Sequence, residues 1–180
     1  MTARSTEQIR GSAHFLIDTL SIDSQQVPIL KIIETVLPHI DEEFTFQVMS
    51  AAELERRYGT GVEGITDHQK NTIILRSDVY EGAHRGNGRD RFTAAHELGH
   101  YFLHRNEGLA FMRAAPPETK AYQSSEWQAN TYAGELLVDV RKININDSPT
   151  HIATTFGVSY SVAEIQINKA KKIALGKGLF

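Results

Sequence analysis

The chain has 180 residues, 41% of them hydrophobic and 23% charged, with a formal net charge of -3. That is room for one full domain, or one domain with a small appendage, and the charge argues against a surface that is wholly a nucleic-acid footprint while leaving room for a local basic patch. There is no cysteine, which excludes disulfides, thiolate metal sites and a cysteine nucleophile, so any metal must be held by His, Asp or Glu.

The N-terminal twenty residues lack the uninterrupted apolar run of a signal peptide. No segment approaches the roughly 20 apolar residues a membrane-spanning helix needs. The expectation is a cytoplasmic protein with no membrane partner. From Thr6 to Leu20, apolar residues at Ile9, Ala13, Leu16, Ile17 and Leu20 have helical spacing. A second amphipathic helix is predicted from Val27 to Leu37, closed by Pro38. Phe44–Val48 alternates as a strand does. Ala51–Tyr58 reads as a short helix with Ser50 as N-cap and Gly59 as stop. Thr66-Asp67-His68 is turn-like and precedes a second strand, Asn71–Leu75, which could form the sheet edge that aligns an extended substrate. Gly82–Asp90 reads as a loop, followed by a helix from Asp90 to His104. A long irregular connection covers Asn106–Ser125, of a length often functional. A helix follows over Ser125–Val138, and Thr150–Leu175 reads as two short helices parted by Gly157-Val158-Ser159. Helices, a small sheet, then helices again make an α+β arrangement.

The chemistry concentrates in His96-Glu97-Leu98-Gly99-His100. Residues four apart on a helix lie one above the other, about 6 Å of rise and 40° apart. Two imidazoles placed so can share one zinc ion, which takes imidazole nitrogen at about 2.0–2.1 Å and prefers four ligands. Glu97 falls on the flank, where a carboxylate can act as general base without being a ligand. The surrounding Phe92, Ala95, Leu98, Tyr101, Phe102 and Leu103 are apolar, so polar residues among them need partners. A third ligand is still wanted. His104 lies about 12 Å of helix rise from His96, too far for one ion to reach both, and is read as a helix-end or cleft-edge residue; the position ten residues after His96 is Asn106. Glu126 is the better candidate, with Glu118 and Glu135 as competitors. Asn130, four residues after Glu126, could accept a hydrogen bond from the distal nitrogen of a liganding histidine. His84, Tyr122 and Tyr132 are further candidates for the cleft wall or for a donor to a developing oxyanion.

The run Arg91–His104, followed by Glu126-Trp127-Gln128-Ala129-Asn130-Thr131-Tyr132-Ala133 and Leu136-Leu137, resembles the ImmA/IrrE family of metallo-endopeptidases, over roughly Ala51 to Ala174. The resemblance implies a zincin-like fold, one Zn2+ ion on His96, His100 and Glu126, and a cytoplasmic regulatory role. Its members are associated with cleaving helix-turn-helix repressors encoded beside them in mobile elements, phages and stress responses. Two positions depart from the family's habit: Asp139 stands where proline is usual, and Gln128 where an acidic residue is frequent. The implied division is a zincin-like metallopeptidase domain over residues 1–147, N-terminal helices included, and a helix-turn-helix-like segment over 148–180 packed on it. Lys169, Lys171, Lys172 and Lys177 make that end basic, so a DNA-binding reading stands beside the packing one, with packing preferred. The alternative function is a regulator that binds a repressor, or DNA, without proteolysis.

Overall fold

Residues 2–105 and 124–177 are described by a computed structural model. Ser5 opens helix α1 (Thr6–Thr19): its hydroxyl accepts from the Gln8 backbone N–H while the Gln8 side chain accepts from the Ser5 N–H, a reciprocal cap. The predicted stripe Ile9, Ala13, Leu16 and Ile17 is buried. The second helical region does not stop at Pro38. It runs as α2 (Ile29–Lys31), a π-helical turn (Ile32–Val36) and α3 (Leu37–Ile40), with Leu37 N–H bonded to Ile32 O, five residues back. The widened turn lets the chain pass a residue that has no N–H to donate.

Strand β1 (Thr45–Met49) leads into α4 (Ala51–Tyr58), capped by the Ser50 hydroxyl on Glu53 N–H and ended at Gly59, whose φ is +102°. Strands β2 (Gly64–Asp67) and β3 (Thr72–Arg76) complete a sheet of order β1-β3-β2, in which β1 runs parallel and β2 antiparallel to β3. Two expectations change here. The turn-like Thr66-Asp67 is the end of a strand, and the turn proper follows, with Asp67 Oδ1 accepting from the N–H groups of Gln69 and Lys70. Asn71–Leu75 covers the central strand, with Thr72, Ile73, Ile74 and Leu75 all buried; the edges belong to β1 and β2, and β2 is the one at the cleft. Four residues opening on glycine carry no alternation of their own, and β2 exists because β3 offers it a ladder.

A further helix, α5 (Ser77–His84), occupies the start of the segment read as a loop; the side chain of Asp90 takes the space that a Cβ on Gly82 would need. Asn87 caps α6 (Gly88–His104) by accepting from Arg89 and Asp90 N–H. Helix α7 (Ser125–Leu137) lies against α6, and Gly99 is where they meet: a Cβ there would stand 3.1 Å from both Cα and O of Ala129. After α7, whose C-cap is Val138, Asp139 caps the start of a single 3-10 turn (Val140–Lys142) and binds Arg141, so the residue standing where proline is usual opens the next turn with a side-chain cap. Helices α8 (Pro149–Phe156) and α9 (Tyr160–Lys177) follow, parted by Gly157 in the left-handed region at φ +64°. At 18 residues, α9 is longer than the short helix expected.

The architecture is α+β, with one main core. Ile152, Phe156, Val158, Ala163 and Ile167 from the C-terminal helices share it with Ile9, Leu37, Ile73, Leu98 and Leu136. A fully buried carboxylate, Glu135 on α7, receives Arg10 of α1 at 2.8 Å and Lys169 of α9 at 2.9 Å, tying three helices together. Among the described residues no helix is long and apolar enough to cross a membrane.

Phe156→Ala removes a fully buried ring from this shared core, and urea unfolding should show a loss of about 3–5 kcal/mol; a loss below 1 kcal/mol would mean that α8 is not part of the cooperative unit. A second test concerns Asp41, after α3. Asn71 Nδ2 at 3.0 Å and Tyr101 Oη at 2.6 Å donate to it, and Arg105 lies at 2.6 Å; these partners, Asn71 foremost, hold its carboxyl down at about 2. Because the folded pKa is depressed, the stabilisation is complete above the unfolded value of about 3.9 and is lost as pH falls through about 2. Thermal melts should therefore show Asp41→Asn less stable than the parent at pH 6, with the gap closing toward pH 2.

Candidate metal centre

Helix α6 is apolar enough to bury one side, leaving His96 and His100 half-buried at the wall of a cleft of about 850 Å³. The cleft also takes in Gly64–Asp67 of β2, Glu97 and, from the start of α7, Glu126 and Asn130. The close contact at Gly99 brings the first turn of α7 over the histidine pair. Glu126 Oε2 then lies 3.3 Å from His96 Nε2, Glu126 Oε1 lies 3.3 Å from His100 Nε2, and the two Nε2 atoms are 3.0 Å apart.

These separations can be tested against a metal. Bonds of about 2.0–2.1 Å to a tetrahedral ion put neighbouring ligand atoms about 3.3–3.4 Å apart. The three edges found are 3.0, 3.3 and 3.3 Å. Two imidazole nitrogens and a carboxylate that turns one oxygen to each of them are thus spaced close to the ligand separations of such a shell, and His96, His100 and Glu126 could hold a metal ion. The same proximity shapes the charges. Hydrogen bonds with His100 and then His96 hold the Glu126 carboxyl well below its usual range. Burial opposes protonation of His96, but the bond with Glu126 and the negative charge of Glu97 outweigh it and raise its pKa.

The distal nitrogens are both engaged. His96 Nδ1 is 3.0 Å from Asn130 Oδ1, the role expected for Asn130. His100 Nδ1 is 3.2 Å from His104 Nδ1, and His104 Nε2 is 3.2 Å from Gln128 Oε1. His104 therefore reaches the cleft wall but is only 2% exposed, held between His100 and Gln128. Glu97 is buried, and burial pushes its carboxyl up, against the two neighbouring imidazoles and the Thr66 hydroxyl, which pull it down. Thr66 Oγ1 lies 2.8 Å from Glu97 Oε2 and 2.8 Å from the Glu97 carbonyl. A Cβ on Gly64 would come within 2.9 Å of Glu97 Cγ, so β2 approaches the carboxylate as closely as it does only with glycine there.

Other candidates lie elsewhere. Tyr132 is buried in the core at 1% exposure and does not line the cleft; its ring neighbours Phe102. His84 is exposed on α5, edge-on to Tyr80 at 4.7 Å, and does not line it either. Both are near the metal-binding helices along the chain, but proximity along the chain says nothing of which way a helix face turns. Glu135, a competitor for third ligand, is consumed by Arg10 and Lys169. Tyr122 and Glu118 lie outside the described residues. Thr66 and Gly64 were missed. Nothing in their local sequence marks them, because their partner is 31 residues or more away along the chain.

No curated protein matches the chain significantly. The family profile Peptidase_M78, described as the IrrE N-terminal-like domain, matches residues 62–168. That span covers more than half of the chain and contains β2, Thr66, the whole of α6 with His96, Glu97 and His100, and α7 with Glu126 and Asn130. On that match, this chain belongs to the Peptidase_M78 family of IrrE N-terminal-like domains.

Proposed function

We propose that the protein is a zinc-dependent regulatory endopeptidase that hydrolyses a peptide bond in a protein substrate, and that the substrate is a helix-turn-helix repressor. The observation that carries the reading is the near-tetrahedral spacing of His96 Nε2, His100 Nε2 and Glu126 beside a buried carboxylate, Glu97, that is not needed as a ligand. A ligand set of two neutral imidazoles and one carboxylate suits zinc. The repressor as substrate class rests on the resemblance of the two helical motifs to ImmA/IrrE endopeptidases.

When bound, zinc supplies Lewis-acid polarisation of the scissile carbonyl and makes water acidic enough to deprotonate near neutral pH. The chain's own residues do the rest. Glu97, with its pKa raised by burial, accepts the proton of the attacking water and returns it to the leaving amine nitrogen. Thr66 donates to Glu97 Oε2 and so fixes which way the carboxylate points. An extended substrate segment pairs along the outer edge of β2, which no described strand occupies and whose Gly64–Asp67 line the cleft. Helices α8 and α9 act as a packing element: the burial of Ile152, Phe156 and Ile167 supports this over a DNA-binding role.

The enzyme and a non-proteolytic binder are separated by co-expressing the repressor gene nearest this one in its genome with wild type and with Glu97→Gln. Wild type should leave repressor fragments, whereas Glu97→Gln should bind zinc at unchanged stoichiometry and lose turnover by about 10²- to 10⁴-fold; equal cleavage by both would end the assignment of Glu97, and intact repressor with zinc-loaded wild type would favour the binder. Thr66→Val leaves the metal ligands alone but removes a hydrogen bond to a carboxylate, and turnover should fall about 10- to 100-fold with zinc content, measured by atomic absorption, unaltered.

A further inference from the structure

Behind the proposed ligand His100 lies a chain of polar groups that ordinary core packing does not require. His100 Nδ1 is 3.2 Å from His104 Nδ1, His104 Nε2 is 3.2 Å from Gln128 Oε1, and Gln128 Nε2 donates to the Thr2 carbonyl at 3.1 Å. His104 and Gln128 are 2% and 0% exposed. The Thr2 end is held in place beside α6, where Arg4 Nη2 donates to the Leu103 carbonyl at 3.0 Å.

The direction of this chain is set from its far end. A backbone carbonyl only accepts, so the Gln128 amide must turn its NH2 to Thr2 and its oxygen to His104. An amide oxygen also only accepts, so His104 carries its proton on Nε2. In the neutral ring the His104 Nδ1 is then a bare acceptor. It faces His100 Nδ1, which must supply the hydrogen; in the neutral form that a metal ligand takes, His100 then has its lone pair on Nε2, the atom that faces Glu126 and His96. We infer that His104 and Gln128 are positioning residues: a neutral relay, anchored on the Thr2 carbonyl, that fixes His100 in the Nδ1–H tautomer and presents its Nε2 lone pair to a divalent cation. A carboxylate or a backbone carbonyl usually does this for a liganding histidine, and Asn130 does it in one step for His96. Here the task is passed through a second histidine and an uncharged amide. The inference rests on the reading of His100 as a ligand.

The test uses the full-length protein, stripped of metal, with Co2+ and Zn2+ as probes. In the Zn2+-loaded wild type, side-chain 15N shifts should report His104 as the Nε2–H tautomer, its bare Nδ1 facing the Nδ1–H of His100; an Nδ1–H tautomer at His104 overturns the relay without recourse to any variant. His104→Leu should weaken Co2+ and Zn2+ binding about 10- to 100-fold and shift the visible Co2+ bands. His104→Asn, whose side-chain oxygen stands close to the place of Nδ1, should recover most of the affinity and the wild-type spectrum. A purely structural role predicts the opposite pattern: a lower melting temperature of the metal-free His104→Leu protein with unchanged affinity and spectrum, which would overturn the inference. Failure of wild type to bind either ion is a different result, since it removes the metal centre and the relay together.

Discussion

Two helices have to touch almost backbone to backbone for this site to exist. His96 and His100 stand on α6 (Gly88–His104), and the carboxylate that faces them, Glu126, comes from the first turn of a separate helix, α7 (Ser125–Leu137). Only at Gly99, with Ala129 opposite, can the two axes approach closely enough for one carboxylate to meet both imidazoles at 3.3 Å. A larger residue at Gly99 would push α7 outward, and the triangle of ligand atoms would open along the two edges that involve Glu126. Packing of small side chains therefore decides the spacing of the candidate ligand atoms before electrostatics enters.

Electrostatics then tunes what packing has assembled. Glu126 is exposed and held anionic by two imidazoles, whereas Glu97, one residue from His96, is buried and driven the other way by desolvation. Two carboxylates on adjoining helices are thus separated in proton affinity by their surroundings, the electrostatic difference on which the proposed division into ligand and base rests. The Thr66 hydroxyl from β2 limits how far Glu97 departs from the charged form. The sheet meets the site here, since the strand that borders the cleft also holds the Glu97 carboxylate.

The remainder of the molecule keeps α6 and α7 where they are. Helix α1 lies along α7, and the buried Glu135 draws Arg10 and Lys169 toward the middle of that helix. Such a carboxylate is costly to bury and is tolerated because two cations and good geometry offset its desolvation. The C-terminal helices close the core from the other end, with Gln166 Nε2 3.4 Å from the Val138 carbonyl just past α7. At the opposite end of α6, Asp41 gathers Asn71, Tyr101 and Arg105 and so joins the sheet to the helix that carries the histidines.

What was legible in the sequence alone follows from interactions that are local. The four-residue spacing of His96 and His100, the placing of Glu97 on the flank, the buried stripe of α1, the Ser50 cap and the stops at Gly59 and Gly157 all depend on neighbours within about one helical turn. Glu126 and Asn130 could be named as a matched pair for the same reason, and the family resemblance rested on those same two helical stretches. What tertiary structure decided has partners far along the chain. β2 forms because β3 lies beside it, and the helix continues past Pro38 by taking in a wider turn. Tyr132 turns inward because α7 is buried on most of its circumference. His104, read as a helix-end or cleft-edge residue, and Gln128, noted only as standing where an acidic residue is frequent, join one chain of contacts only when α6 and α7 are brought together and the N-terminal segment supplies a carbonyl from 126 residues away. Periodicity tells which residues share a helix face; which faces meet is settled by the packing of the whole core.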